Sequence, residues 1–211
     1  MTSSTTVPRR ALIVIDVQKE YFAGGNLPIE YPPVADTLPN IARAMDAAQA
    51  AGVPVVVVQH TAPSGAPVFD KATERWQLHP EVARRHADHH IEKALASVFT
   101  NTGLAEWLAE RSIDTLTIVG YMTHNCDAAT IYEAAHRGLA VEFLHDASGA
   151  LPYANAAGSA SAEEIHRVFS VVFHSNFAAV VSTSEWLAAL QTGQILDKDN
   201  VVMSNLRARQ G

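Results

Sequence analysis

Five short, largely apolar runs punctuate this chain, and segments with helical spacing separate them. They are Ala11-Leu-Ile-Val-Ile15, Val53-Pro-Val-Val-Val-Val58, Asp114 to Val119, Leu139 to Leu144 and Phe177 to Ser182, with a sixth, short strand at His89-His-Ile-Glu-Lys93. Runs without polar alternation are buried on both faces, which calls for a parallel sheet with helices on each side. The helices fall between them. Ala35 to Ala51 turns Leu38, Ile41, Met45 and Ala48 to one face, and Gly52 closes it. Gly103 to Arg111 has Thr102 as its cap and Leu104, Trp107 and Leu108 inside. Cys126 opens a helix closed by Gly138, Ser161 to Val171 forms the next, and the last begins near Ser184-Glu185-Trp186. Right-handed crossovers then give a three-layer α/β/α sandwich, Rossmann-like in its winding, with ligands at the carboxyl ends of the strands.

With 211 residues, 48% of them hydrophobic, the chain can bury one sizeable core. One domain is expected over residues 11–195, after a flexible polar stretch at 1–10 and before a polar tail at 196–211 that is either mobile or clasps a neighbour. The connection from Thr61 to Asp88 is long enough to act as a lid or an oligomer contact. A net charge of −7 argues against nucleic-acid phosphates and anionic membranes as partners. No apolar run approaches the roughly 20 residues that span a bilayer. A single cysteine excludes an intrachain disulfide framework and fits a reducing, cytoplasmic setting.

That cysteine, Cys126, follows the buried run Leu116-Thr-Ile-Val-Gly120 and the turn Tyr121-Met-Thr-His-Asn125. A thiol at a strand-to-helix turn lies at the carboxyl edge of the sheet and meets the positive end of a helix dipole, which lowers a thiol pKa. Taken alone it could equally be a small buried hydrophobe. Two further ionisable residues reach the same edge: Asp16 ends the first strand and Lys93 the third. A desolvated aspartate suits proton transfer, and a lysine beside it favours the thiolate. Alone, a helix or turn cap is the lesser reading of Asp16, while Lys93 reads better as a solvated surface residue; together with Cys126 they read as a site.

Asp16-Val-Gln18 with Tyr21-Phe22 and Gly24-Gly25, Lys93 with Ser97-Val-Phe99 and Thr102-Gly-Leu104, Gly120-Tyr-Met-Thr-His-Asn-Cys126 and Asp146-Ala147 occur in that order. Together they resemble the isochorismatase-like cysteine hydrolases, from about Ala11 to about Val181. The resemblance implies a six-stranded parallel sheet, a catalytic triad of Asp16, Lys93 and Cys126, and a cis peptide before Met122. It also implies an oxyanion hole from the backbone N–H groups of Met122 and Cys126, and a homo-oligomer, dimer or tetramer. The reaction implied is hydrolysis of a C–N bond (amide, carbamoyl or lactam) of a small molecule through a thioester.

The metal-binding nicotinamidases of this family carry Asp-x-His after the second strand, where this chain has Gln59-His60-Thr61-Ala62-Pro63. His79, His86, His89 and His90 lack an evident carboxylate or thiol partner. No metal or other cofactor is therefore expected. Gln18, Phe22, Trp76, Thr123 and Tyr153 are candidate substrate contacts, and Asp127 has no assigned role. The alternatives are an isochorismatase-type vinyl-ether hydrolase, in which the cysteine position is commonly another residue, and a non-catalytic small-ligand-binding oligomer. A Cys–His arrangement would have to use His60, His124 or His145. A redox role would need a resolving thiol from a partner.

Overall fold

A computed structural model describes residues 7–210. In chain order the elements are β1 (Arg10–Ile15), α1 (Val34–Ala50), β2 (Val55–His60), α2 (Pro80–Ala83), β3 (His89–Lys93), α3 (Leu104–Glu110), β4 (Thr115–Tyr121) and α4 (Ala128–His136). There follow β5 (Ala140–Gly149), β6 (Tyr153–Asn155), β7 (Gly158–Ala160), α5 (Ala162–Asn176), β8 (Ala179–Val181), α6 (Thr183–Thr192) and α7 (Val201–Gln210). Six strands form one sheet in the order β3-β2-β1-β4-β5-β8, every pairing parallel. This is the α/β sandwich that the apolar runs imply.

The core lies on both faces of that sheet. Ile41, Met45 and Ala48 of α1 and Trp186 of α6 pack with Leu12, Val14, Val55 and Val57 on one face. Leu104 and Leu108 of α3, Ile131 of α4 and Phe173 of α5 pack with Ile13, Ile15, Val56, Val58 and Ile118 on the other. Neighbouring residues of a strand thus serve opposite cores, which is why the runs carry no polar alternation. Capping boxes start α5 (Ser161, Glu164) and α6 (Ser182, Glu185), and Gly138 at φ +82° follows the end of α4.

Several boundaries differ from the sequence reading. β2 runs from Val55 to His60, two residues later than its apolar run, because pairing with β3 continues to His60↔Lys93. Gly103 occupies the N-cap position of α3, while Thr102 Oγ1 accepts from Leu104 N at 3.4 Å and donates to Val98 O. Cys126 sits in a π-helical turn, Thr123–Asp127, and α4 begins only at Ala128. Within the polar tail, 196–200 is irregular and Val201–Gln210 forms α7. Of the N-terminal stretch, residues 1–6 lie outside the described residues, while Arg10 is buried in β1 and forms an ion pair with Glu142 at 2.8 Å. The β6–β7 hairpin is an addition, too short and exposed to leave an apolar signature. No helix among the described residues is long and apolar enough to cross a membrane.

Register places the candidate residues. Ile15 lies level with Val58 on one side and Gly120 on the other, so Asp16, His60 and the turn after Tyr121 all emerge from the same edge. The sheet order reverses between β1 and β4, and ligands of open α/β sheets bind where that happens. At this seam Gly120 has φ +117°, and a Cβ there would meet Ile15 O at 2.0 Å. Gly120→Ala is therefore expected to wedge β1 from β4 just below Asp16. Overpacking and strain of about 1–3 kcal/mol each should lower the melting temperature by several degrees and reduce activity with it. An alanine variant matching the parent in both measurements would refute this account of the seam.

Candidate active site

Asp16 is fully buried at the end of β1, with φ +51°. A non-glycine residue in the left-handed region is strained by roughly 1–3 kcal/mol and recurs at functional positions. Lys93, the last residue of β3, is buried too, and its Nζ lies 2.6 Å from Asp16 Oδ2. The same Nζ donates to Cys126 Sγ at 3.1 Å. All three residues expected from the sequence thus converge. Neither oxygen of Asp16 has an aligned hydrogen-bond donor, so the carboxylate is ion-paired yet keeps lone pairs open to a proton.

The electrostatics correct one expectation. The thiol of Cys126 lies above its ordinary pKa, not below it. Burial is the largest cause and the Asp16 charge the next, while Lys93 pulls downward without offsetting them. The helix dipole does not win here, because the π turn sets Cys126 ahead of α4 in a site with little solvent. Burial would lower Lys93 as well, but Asp16 and the thiol opposite outweigh it, and its net shift is upward. Burial and the Asp16 charge therefore favour a resting thiol, against the opposing pull of the Lys93 ammonium.

A fourth residue joins these three. His60 Nδ1 lies 3.2 Å from Lys93 Nζ. A carboxylate oxygen of Asp16, a ring nitrogen of His60 and the Cys126 sulfur all lie within 4.8 Å of one another. Such a donor set could hold a metal ion by residue type. Here, however, Asp16 Oδ2, Cys126 Sγ and His60 Nδ1 are already gathered around the Lys93 ammonium, which brings the positive charge an ion would bring. The residues therefore do not fit a metal at this position. The other histidines are dispersed: His79 accepts from Glu81 N at the start of α2, His86 faces Asp88, and His89 stacks on Trp107.

Of the five candidate substrate contacts, four are engaged elsewhere. Gln18 Nε2 donates to His60 O and Trp76 O, and its Oε1 accepts from His60 N, so it braces β2 and has no free donor. Phe22 packs between His79 and Tyr121 in the core. Trp76 donates to Thr61 Oγ1 beneath Lys71 and pins the long connection. Thr123 Oγ1 pairs with His166 Nδ1 at 2.8 Å and ties the nucleophile's turn to α5. Tyr153, on the β6–β7 hairpin, is 44% exposed and feels the charge of Cys126, which adds to burial in raising its hydroxyl pKa. His124 packs on Tyr153 and Phe169, not on the thiol, and burial lowers it to about 4. A cavity of ≈ 480 Å³ between α5, β8 and α7 is lined by His145, His166 and Arg167, and Cys126 does not line it.

Asp127, next to the nucleophile, is fully buried with no hydrogen-bond partner for either oxygen; Ser148 faces it outside bonding geometry. Burial, then the Asp16 charge, pushes its carboxyl well above the ordinary range. The native state therefore keeps a proton that the unfolded chain releases near pH 4, and this group lowers stability as pH rises from there. His124 and His166, both lowered to about 4, act oppositely and weaken the fold as pH falls from about 6.5. Asp127→Asn keeps the shape without the ionisable proton. It should raise the melting temperature at pH 7 by at least about 2–4 °C, and by less at pH 4.5. A variant less stable than the parent at pH 7 would show that the carboxyl is supported by something else.

A family model described as Isochorismatase domain matches residues 10–185. The chain belongs to the isochorismatase family. A crystal structure of an isochorismatase-family protein from Burkholderia xenovorans LB400 is 65% identical, covers 97% of this chain and 98% of its own, and superposes with a TM-score of 0.95. An isochorismatase family protein of Bacillus subtilis, YddQ, is 30% identical over 84% of this chain and 98% of its own length. Streptothricin hydrolase of Streptomyces noursei is 32% identical over 69% of this chain and 56% of its own length. Nicotinamidase of Escherichia coli and N-carbamoylsarcosine amidase of Arthrobacter are further relatives. The chain is thus an isochorismatase-family hydrolase related to amidases.

Proposed function

We propose that this hydrolase cleaves a C–N bond of a small molecule through a thioester at Cys126. The observation that carries the reading is the placement of the thiol 3.1 Å from the Lys93 ammonium, which in turn lies 2.6 Å from Asp16. Asp16 takes the thiol proton as sulfur attacks the carbonyl carbon. The Tyr121–Met122 bond is cis, and the Met122 N–H makes no hydrogen bond to another described residue. That N–H and the Cys126 N–H receive the developing oxyanion. The tetrahedral intermediate collapses, the C–N bond breaks, and Asp16 returns its proton to the departing nitrogen. Water, deprotonated by Asp16, then opens the thioester and restores the thiol. Lys93 stays charged throughout and stabilises negative charge first on Asp16 and then on sulfur.

The names of the relatives favour amide-type substrates, and Tyr153, partly exposed on the β6–β7 hairpin, is the one candidate contact not engaged elsewhere in the fold. Exposed Val168, Val171 and Val172 on α5 and Val201 and Val202 on α7 support a homo-oligomer, and the single cysteine suits the cytoplasm. The test is ammonia release over a panel of small amides, ureides and lactams, with Cys126→Ala as control. Turnover of one member by the parent alone supports the reading. Turnover of a vinyl ether by both proteins, with no amide accepted, would replace it with acid-catalysed ether hydrolysis.

A further inference from the structure

An ammonium has three hydrogens, and a buried one needs three acceptors. Around Lys93, Asp16 Oδ2 is the ion-pair partner at 2.6 Å, and Cys126 Sγ at 3.1 Å and His60 Nδ1 at 3.2 Å stand in hydrogen-bond geometry. The first two belong to the proposed chemistry; the third is unassigned. His60 closes β2 in register with Lys93 on β3, and in parallel strands such partners project on the same face. Its backbone is clamped on both sides by the Gln18 amide, and its ring rests edge-on against Phe69. The ring is thus held in place independently of Lys93.

We infer that His60 is a positioning residue, whose Nδ1 takes the third hydrogen of the Lys93 ammonium and keeps it aimed at Cys126 while negative charge moves from Asp16 to sulfur. The inference rests on the cysteine-hydrolase reading. In the resting site the strongest partner of the ammonium is the Asp16 carboxylate. Once the thiol proton has passed to Asp16, the carboxyl is neutral and the sulfur is the anion. An ammonium with two partners is free to swing as their strengths exchange; a third, neutral acceptor fixes its rotation through the transfer. Acceptance at Nδ1 requires the ring proton on Nε2 and an uncharged ring. Burial, then Lys93, holds His60 below its ordinary pKa, while Asp16 opposes. The groups facing it are Asp16 from β1, Lys93 from β3, Cys126 from the turn and Phe69 from the long connection.

Three variants separate this role from bulk packing and from substrate contact. In His60→Asn the side-chain oxygen can occupy the place of Nδ1, His60→Gln puts its amide near Nε2, and His60→Leu has no acceptor. Two measurements apply: kcat and KM on a substrate from the amide panel, and the pH dependence of Cys126 alkylation by iodoacetamide. His60→Leu should lower kcat roughly tenfold, the scale of one hydrogen bond to a charged group, with KM little changed, and should move the alkylation profile to higher pH. His60→Asn should restore both, and His60→Gln neither. Rescue by Gln with an effect confined to KM would make His60 a substrate contact and overturn the inference. So would an unshifted alkylation profile in His60→Leu, or Asn behaving like Leu. Should His60→Leu fail to fold, the Asn and Gln variants against the parent decide the matter. Alkylation needs no turnover, so it tests His60 even if Cys126→Ala turned out to be active.

Discussion

Cys126→Ala is expected to lower kcat by about 10⁴-fold or more, the scale seen when a catalytic nucleophile is removed. The substitution takes away the atom that forms the thioester and leaves Asp16 ion-paired to Lys93 at 2.6 Å. Cys126 is buried in a well-packed turn, so alanine costs little packing, and the fold should survive with its melting temperature within a few degrees of the parent. Mass spectrometry of the parent, quenched early in turnover, should show an acyl adduct on Cys126 that the variant lacks. An alanine variant with full activity on a verified substrate would end the covalent reading whatever the geometry suggests.

Asp16→Asn carries the second large effect. The amide preserves the shape of the strained turn at φ +51° but cannot accept the thiol proton or return it to nitrogen. A fall in kcat of at least about 100-fold is expected, the usual scale for general acid–base catalysis, with substrate binding much less altered. The parent should hold its activity into alkaline solution, because Lys93 is raised above its ordinary 10.5 and the thiol is raised as well. Were Asp16→Asn to weaken binding alone, with kcat intact, Asp16 would be a substrate contact and another base would have to be found.

The sandwich and the Asp16–Lys93–Cys126 cluster were legible because both leave marks in one dimension. Doubly buried strands need continuous apolar runs, and strand ends in a parallel sheet share an edge. The electrostatics were not legible. From sequence, the dipole of α4 promised a depressed thiol; only three dimensions show Asp16 and a closed surface pressing the other way. His60 was visible as a histidine at a strand end, but an apolar run ending at Val58 hid the two further residues of β2 that bring it beside Lys93. Residue type marks Gln18 and Thr123 as polar groups near the sheet edge, but it does not reveal that both are already bonded within the fold. α7 has no buried residue, and so its sequence carries no apolar stripe to announce a helix.

The protonated state of Cys126 bears on how long such an enzyme lasts. Peroxides attack the thiolate far faster than the thiol. A sulfur kept protonated and 4% exposed is in its least oxidisable form for as long as the site is at rest. Oxidative loss to sulfenic acid should therefore accompany turnover, when Asp16 has taken the proton, and the idle protein should outlast the working one in dilute peroxide.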